Sequence, residues 1–171
     1  TRGMGSSLKN IGNVYQDKGD KKKALDYYGR SLAIAEEICD KFNMAFYLGN
    51  IGIAHHPHDY DEALDYFVRS PAIREELGDK LGMGGSLNNI GVVLYEKGDD
   101  DTALDYHKRS LAIQEQLDNK NGMGSSLNNI GNVYQAKGDK KKALDYYGRS
   151  LAIAEEICDK FNMAFYLGNI G

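Results

Sequence analysis

The segment LNNIGNVYQAKGDKKKALDYYGRSLAI, residues 127–153, decides the fold, because it returns as LKNIGNVYQDKGDKKKALDYYGRSLAI at residues 8–34. The copy extends beyond that segment. Residues 1–52 and 120–171 pair at a constant offset of 119 and differ only at Thr1/Lys120, Arg2/Asn121, Lys9/Asn128 and Asp17/Ala136. A shorter period lies inside it, since the Ile-Gly pair recurs at Ile11, Ile51, Ile90, Ile130 and Ile170, in steps of 40, 39, 40 and 40. A period of roughly 20 to 50 residues marks a stack of supersecondary units in which each unit packs only on its neighbours. The chain therefore reads as one array, with repeats at about 1–40, 41–79, 80–119 and 120–159 and a half repeat at 160–171.

Each repeat reads as two amphipathic helices. In the first, Leu8, Ile11, Val14 and Tyr15 fall on one helical face, and KGD breaks the pattern and offers Asp20 as an N-cap. In the second, Ala24, Leu25, Tyr28, Leu32, Ala35 and Ile38 form the stripe, and CDK or GDK closes it with another capping Asp. The spacing predicts helices at 3–17, 21–38, 41–56, 60–77, 80–97, 100–117, 120–137, 140–157 and 160–170. None of them buries its stripe alone, so stacking must stabilise them.

Composition narrows the function classes. A net charge of -4 and a pI near 5.6 leave no basic footprint for nucleic acid. No apolar run approaches the ~20 residues of a membrane span and no signal peptide is visible, so no membrane partner and a cytoplasmic location are expected. The chain opens in phase with the repeat and closes on GNIG in mid-repeat, which reads as an excerpt of a longer protein. Cys39 and Cys158 are one repeat position seen three repeats apart. Helices packed ~8 to 10 Å apart carry them past the ~7 Å Cα limit for a disulfide. The same position holds Gly78 and Asp118, which suits a helix C-terminus.

The pattern Leu8-x2-Ile11-Gly12-x2-Tyr15, followed by Ala24-x3-Tyr28, resembles the tetratricopeptide repeat. It returns as Leu48, Ile51, Gly52, His55, Ala63, Phe67; as Leu87, Ile90, Gly91, Leu94, Ala103, His107; and as Leu127, Ile130, Gly131, Tyr134, Ala143, Tyr147. The usual Trp is Leu here, the Pro at the repeat end is absent, and the period is 40 in place of about 34. A period of this length is similar to the long repeats of kinesin light chains and Partner-of-Inscuteable-like adaptors. The resemblance implies an all-α, right-handed superhelical solenoid of antiparallel helix pairs, whose first helices line a groove that binds a protein or peptide partner.

Carried over residue by residue, the groove positions centre on Asn10 and Asn13 in the first repeat, and on Phe46, Asn50 and Ile53 in the second. The third gives Asn88, Asn89, Val92 and Tyr95, and the fourth Asn128, Asn129 and Asn132. An asparagine at one position, Asn10, Asn50, Asn89, Asn129 and Asn169, never varies. A carboxamide both donates and accepts, so such a ladder can hold a peptide backbone; a half-buried Asn can equally bond a neighbouring helix. Phe46, Ile53, Val92 and Tyr95 place apolar groups where the flanking repeats carry Ser, Asn and Gln, which suggests a partner with one or two hydrophobic anchors.

The remaining features read as structural. Lys9 with Asn13 opens a pair similar to the family's carboxylate clamp, but Gly49/Ile53 and Asn88/Val92 break it. The KKK runs at 21–23 and 140–142 are solvated charge, and Arg30, Arg69, Arg109 and Arg149 each follow an Asp by four residues as helix-surface ion pairs. GMGGS and GMGSS lack the ending of a phosphate loop and recur in phase with the repeat, so they belong to helix starts. His55, His56 and His58 flank Pro57 and are weak metal candidates; the reading is a drifted turn with no metal. Pro71 stands where other repeats have leucine, inside the second helix, and is expected to disturb it. No nucleophile, base and orienting group coincide, so no catalysis and no cofactor are expected. The function that follows is a protein-interaction module, part of a larger scaffold or signalling protein. The alternative is a structural solenoid that self-associates head to tail, through an α-helical end whose apolar face carries Met163, Leu167 and Ile170.

Overall fold

The computed structural model describes residues 2–56 and 58–170. Expectations placed on Pro57 and on the Ile170 side chain lie outside what is described. The helices are α1 (Arg2–Asp17), α2 (Lys21–Glu37), α3 (Lys41–His55), α4 (Tyr60–Glu76), α5 (Lys80–Glu96), α6 (Asp100–Gln116), α7 (Lys120–Ala136), α8 (Lys140–Glu156) and α9 (Lys160–Ile170), with no strand among the described residues. The fold is the all-α class of stacked antiparallel helix pairs. Most helices stop one residue before the expected end, because that residue is the C-cap; Ile38, Leu77, Leu117 and Ile157 each close the last turn with their own N–H.

The caps explain where each helix starts and stops. Asp20, Asp40, Asp59, Asp99, Asn119 and Asp139 each accept the backbone N–H three residues on. A cap of this kind stabilises a helix by about 1 kcal/mol. At the other ends, Gly19, Gly98 and Gly138 close first helices with positive φ, and Cys39, Gly78, Asp118 and Cys158 do so for second helices. The cysteines therefore occupy left-handed C′ positions, and both are free and exposed.

The chain divides into two compact units, Thr1–Ser86 and Leu87–Gly171. In the first, Ala24, Tyr28, Leu32 and Ala35 of α2 meet Tyr47, Leu48, Ile51 and Ala54 of α3, and Tyr66 and Ile73 of α4 pack against them. In the second, Leu111 of α6 meets Leu127 and Ile130 of α7, with Leu104, Met123 and Ile153 around them. Within each pair the closest approach is aromatic on glycine. A Cβ added to Gly12, Gly52, Gly91 or Gly131 would lie 2.5–2.6 Å from the ring of Tyr28, Phe67, His107 or Tyr147. Two sequence expectations need correction. Ile38 sits on a cap and is exposed, and Ile11 and Val14 are exposed on α1.

The junction from a second helix to the next first helix comes in two forms. At one, Ala35 leaves room for Asn43, whose Nδ2 donates to the capping Asp40 at 2.9 Å; Ala154, Asn162 and Asp159 repeat this at 2.7 Å. At the other, a long side chain reaches the cap and lies over a glycine of the first helix. Arg74 pairs with Asp79 over Gly82, where a Cβ would fall 1.8 Å from the Arg74 Nη1; Gln114, Asn119 and Gly122 form the equivalent set. Gly82→Asn alone should therefore destabilise the chain by about 1–3 kcal/mol through overpacking. Adding Arg74→Ala should restore most of that, because it rebuilds the Ala-Asn form. Denaturant titration of the single and double variants measures the coupling, and simple additivity would contradict the pairing.

Candidate binding faces of the first helices

In the first unit the predicted residues lie on α1 and α3. Asn10 is exposed, and Asn13 accepts the Tyr28 hydroxyl at 2.9 Å. Phe46, Asn50 and Ile53 fall at i, i+4 and i+7, so one face of α3 carries all three. Phe46 and Ile53 are 40% and 49% exposed, and Gly49 between them is open, with nothing within 4 Å of a Cβ placed there. The Lys9 ammonium stands 5.5 Å over the Phe46 ring.

In the second unit the asparagines bond to one another. Asn129 donates to Asn88 at 3.1 Å, and Asn169 donates to Asn128 at 2.7 Å. Asn128 is buried, whereas Asn88, Asn89, Val92, Tyr95, Asn129 and Asn132 are half-buried. Each link ties one first helix to the next, so much of the ladder works inside the stack. Position 9 breaks the pattern. Lys9, which stands where the second copy has Asn128, has no acceptor to offer Asn50.

A second coupling explains some of the apolar positions. The Tyr28 hydroxyl donates to Asn13 and the Tyr147 hydroxyl to Asn132, at 2.9 and 2.8 Å. Where the aromatic has no hydroxyl, at Phe67 and His107, the partner position holds Ile53 and Val92. Ile53 and Val92 therefore match their own helix pairs, whatever else they do. The sequence pattern places His107 at the repeat's aromatic position without giving it a role; it is only 1% exposed, its neutral ring donates Nδ1–H to Asn88 at 3.0 Å, and burial pushes its pKa down to about 4. Comparing the four repeats position by position would have revealed both couplings.

The other conspicuous residues pack locally. Lys23 and Lys142 bridge to the caps Asp20 and Asp139 and lie over Tyr15 and Tyr134. Of the four Arg pairs, Arg30–Asp26 and Arg109–Asp105 form at 3.5 and 3.6 Å, whereas Arg69 reaches across to Glu36 at 3.2 Å. His55 stacks on Tyr66 and His56 packs on Tyr60. Among the described residues no three His, Cys, Asp or Glu side chains gather to hold a metal, and no helix is long and apolar enough to cross a membrane.

A tetratricopeptide repeat model matches residues 3–76 and 82–156. BtubC (BKLC) from P. vanneervenii superposes with a TM-score of 0.83 at 23% identity, over 91% of this chain and 65% of that one. A Rap protein complexed with Competence and Sporulation Factor gives 0.86 at 18% identity, over 96% of this chain and 46% of that one. Nearly identical TPR-like repeats from Podosopora anserina give 0.78 at 15% identity, over 96% and 82%. This chain thus spans less than two thirds of the first two relatives, and likeness at these identities shows the fold alone. No curated protein matches the chain by sequence.

Proposed function

We propose, from the fact that the chain belongs to the tetratricopeptide repeat family, that it is a non-catalytic protein-interaction module which holds a segment of a partner protein on the inner faces of its first helices. It works as part of a larger scaffold or signalling protein. The observation that carries this reading is on α3, where Phe46 and Ile53 stand partly exposed on one face with open Gly49 and the Asn50 amide between them. A partner that covers the part of each side chain still facing water gains about 1 kcal/mol apiece. The second unit supports the same use with Asn89, Val92, Tyr95 and Asn132 on its own first helices. The related Rap protein complexed with Competence and Sporulation Factor supports ligand capture as a use of the fold.

The test compares three immobilised proteins for retention of the partner: the parent, Phe46→Asp with Ile53→Asp, and Val68→Asp. Val68 is 49% exposed on α4, so the last variant controls for added surface charge. The double variant should lose at least about tenfold in retention, equivalent to ~1.4 kcal/mol, and the control should lose none. Equal retention by all three would remove the α3 face from the function.

A further inference from the structure

The asparagine link between α5 and α7 uses only half of each amide. Asn88 Oδ1 accepts from Asn129 Nδ2 at 3.1 Å and from the His107 Nδ1–H at 3.0 Å. A carbonyl oxygen has two lone pairs, so both are taken, and the Asn88 amide cannot turn over without breaking both bonds. The other halves, Asn88 Nδ2 and Asn129 Oδ1, have no partner among the described residues, and neither atom is sealed from water. They form a donor and an acceptor of fixed polarity on consecutive first helices. The fourth repeat supplies the contrast, because Asn128 stands in the place of Asn88 and Tyr147 in that of His107. There the Tyr147 hydroxyl turns to Asn132 and Gln135 instead. In the second repeat Gly49 and Phe67 hold these two places, and neither side chain can make the bond.

We propose that His107 is a positioning residue for partner capture in the second unit: by engaging the Asn88 oxygen from within, it presents Asn88 Nδ2 and Asn129 Oδ1 as a matched pair to the C=O and N–H of one extended residue in the partner's main chain. This rests on the reading that first-helix faces hold a partner segment. In an extended chain the N–H and C=O of one residue point to the same side, as they do in the hydrogen-bonded pairs of an antiparallel ladder, whereas a helical segment spends both within itself. The partner is therefore extended where it meets α5 and α7. A buried histidine, which touches no partner atom, sets the direction in which that stretch of backbone is read.

The probe is a synthetic library of short random peptides selected on the 171-residue chain, and the tightest binders are remade with a backbone ester in place of the amide at each position in turn. An ester deletes one N–H and leaves every side chain in place. With the parent, one position should cost at least about tenfold in affinity. His107→Phe should erase that cost and leave the remaining positions as they were, and His107→Asn, whose amide nitrogen takes the place of Nδ1, should restore it. A mere loss of packing would weaken every peptide alike, and thermal melting checks that the variants fold. Asn88→Leu, at a half-buried position, must erase the cost as well. An ester cost that survives His107→Phe or Asn88→Leu, or affinity carried by an Asn or Gln side chain with no ester cost at any position, overturns the proposal. Binders that are lost on Phe46→Asp with Ile53→Asp but show no ester cost leave capture on α3 standing and sink this proposal alone; a library that yields no binder sinks both.

Discussion

Replacing Pro71 with leucine is expected to stabilise the chain by about 2–3 kcal/mol. α4 runs unbroken from Tyr60 to Glu76 through this proline. The ring supplies no N–H to the carbonyl of Phe67 and crowds it, and Phe67 is buried, so water does not readily take the missing donor's place. Leucine restores the donor and adds a side chain that at Leu32 and Leu111 is buried. Pro71→Ala separates the two contributions, because it restores only the backbone. At roughly 2–4 °C per kcal/mol, the leucine variant should melt well above the parent and the alanine variant between them. If neither melts higher, α4 is shaped around the proline and the siblings are a poor guide to this position.

The second large effect is a loss of stability in mild acid that depends on His107. A free histidine titrates near ~6.5, whereas burial holds His107 at about 4 in the folded chain. Between those values the unfolded chain binds a proton that the folded chain refuses. Stability is thus complete above pH ~6.5 and falls as pH drops towards about 4, by a total of ~3 kcal/mol. His55, lowered in the same direction by partial burial, adds a smaller loss. Asp20, Asp101 and Asp139 are held below the usual carboxylate range by hydrogen bonds from Lys23, Lys137 and Lys142, so they act only at lower pH. His107→Phe copies the Phe67–Ile53 pair onto Val92 and removes the titrating group. Denaturant midpoints from pH 4 to pH 8 should slope for the parent and be much flatter for the variant; parallel curves would show that another group governs the transition.

Both effects arise where one repeat departs from its siblings, and that is also where sequence reading reaches its limit. The helices, their Asp caps and the C′ role of Cys39 were legible because backbone chemistry recurs at a fixed period. Pairing across helices was not legible from any single helix. The exchange of Ala35 and Asn43 for Arg74 and Gly82 reads as unrelated drift until the Arg74 guanidinium is seen to occupy the space over Gly82. The invariant asparagine could serve a ligand or the stack, and in the second unit Asn129 and Asn169 serve the stack. Ile11 reads as core from its spacing and is 40% exposed, whereas its counterpart Ile130 is core.

The central claim is that the inner face of α3 holds the partner, and site-specific photocrosslinking tests it most directly. A benzophenone amino acid is placed at Phe46 in one protein and at Val68 in another, each is irradiated with its partner, and the crosslinked peptide is sequenced. The account predicts that position 46 captures one contiguous partner segment and that position 68, exposed on α4, does not. Capture of that segment from position 68 as efficiently as from position 46 would contradict it.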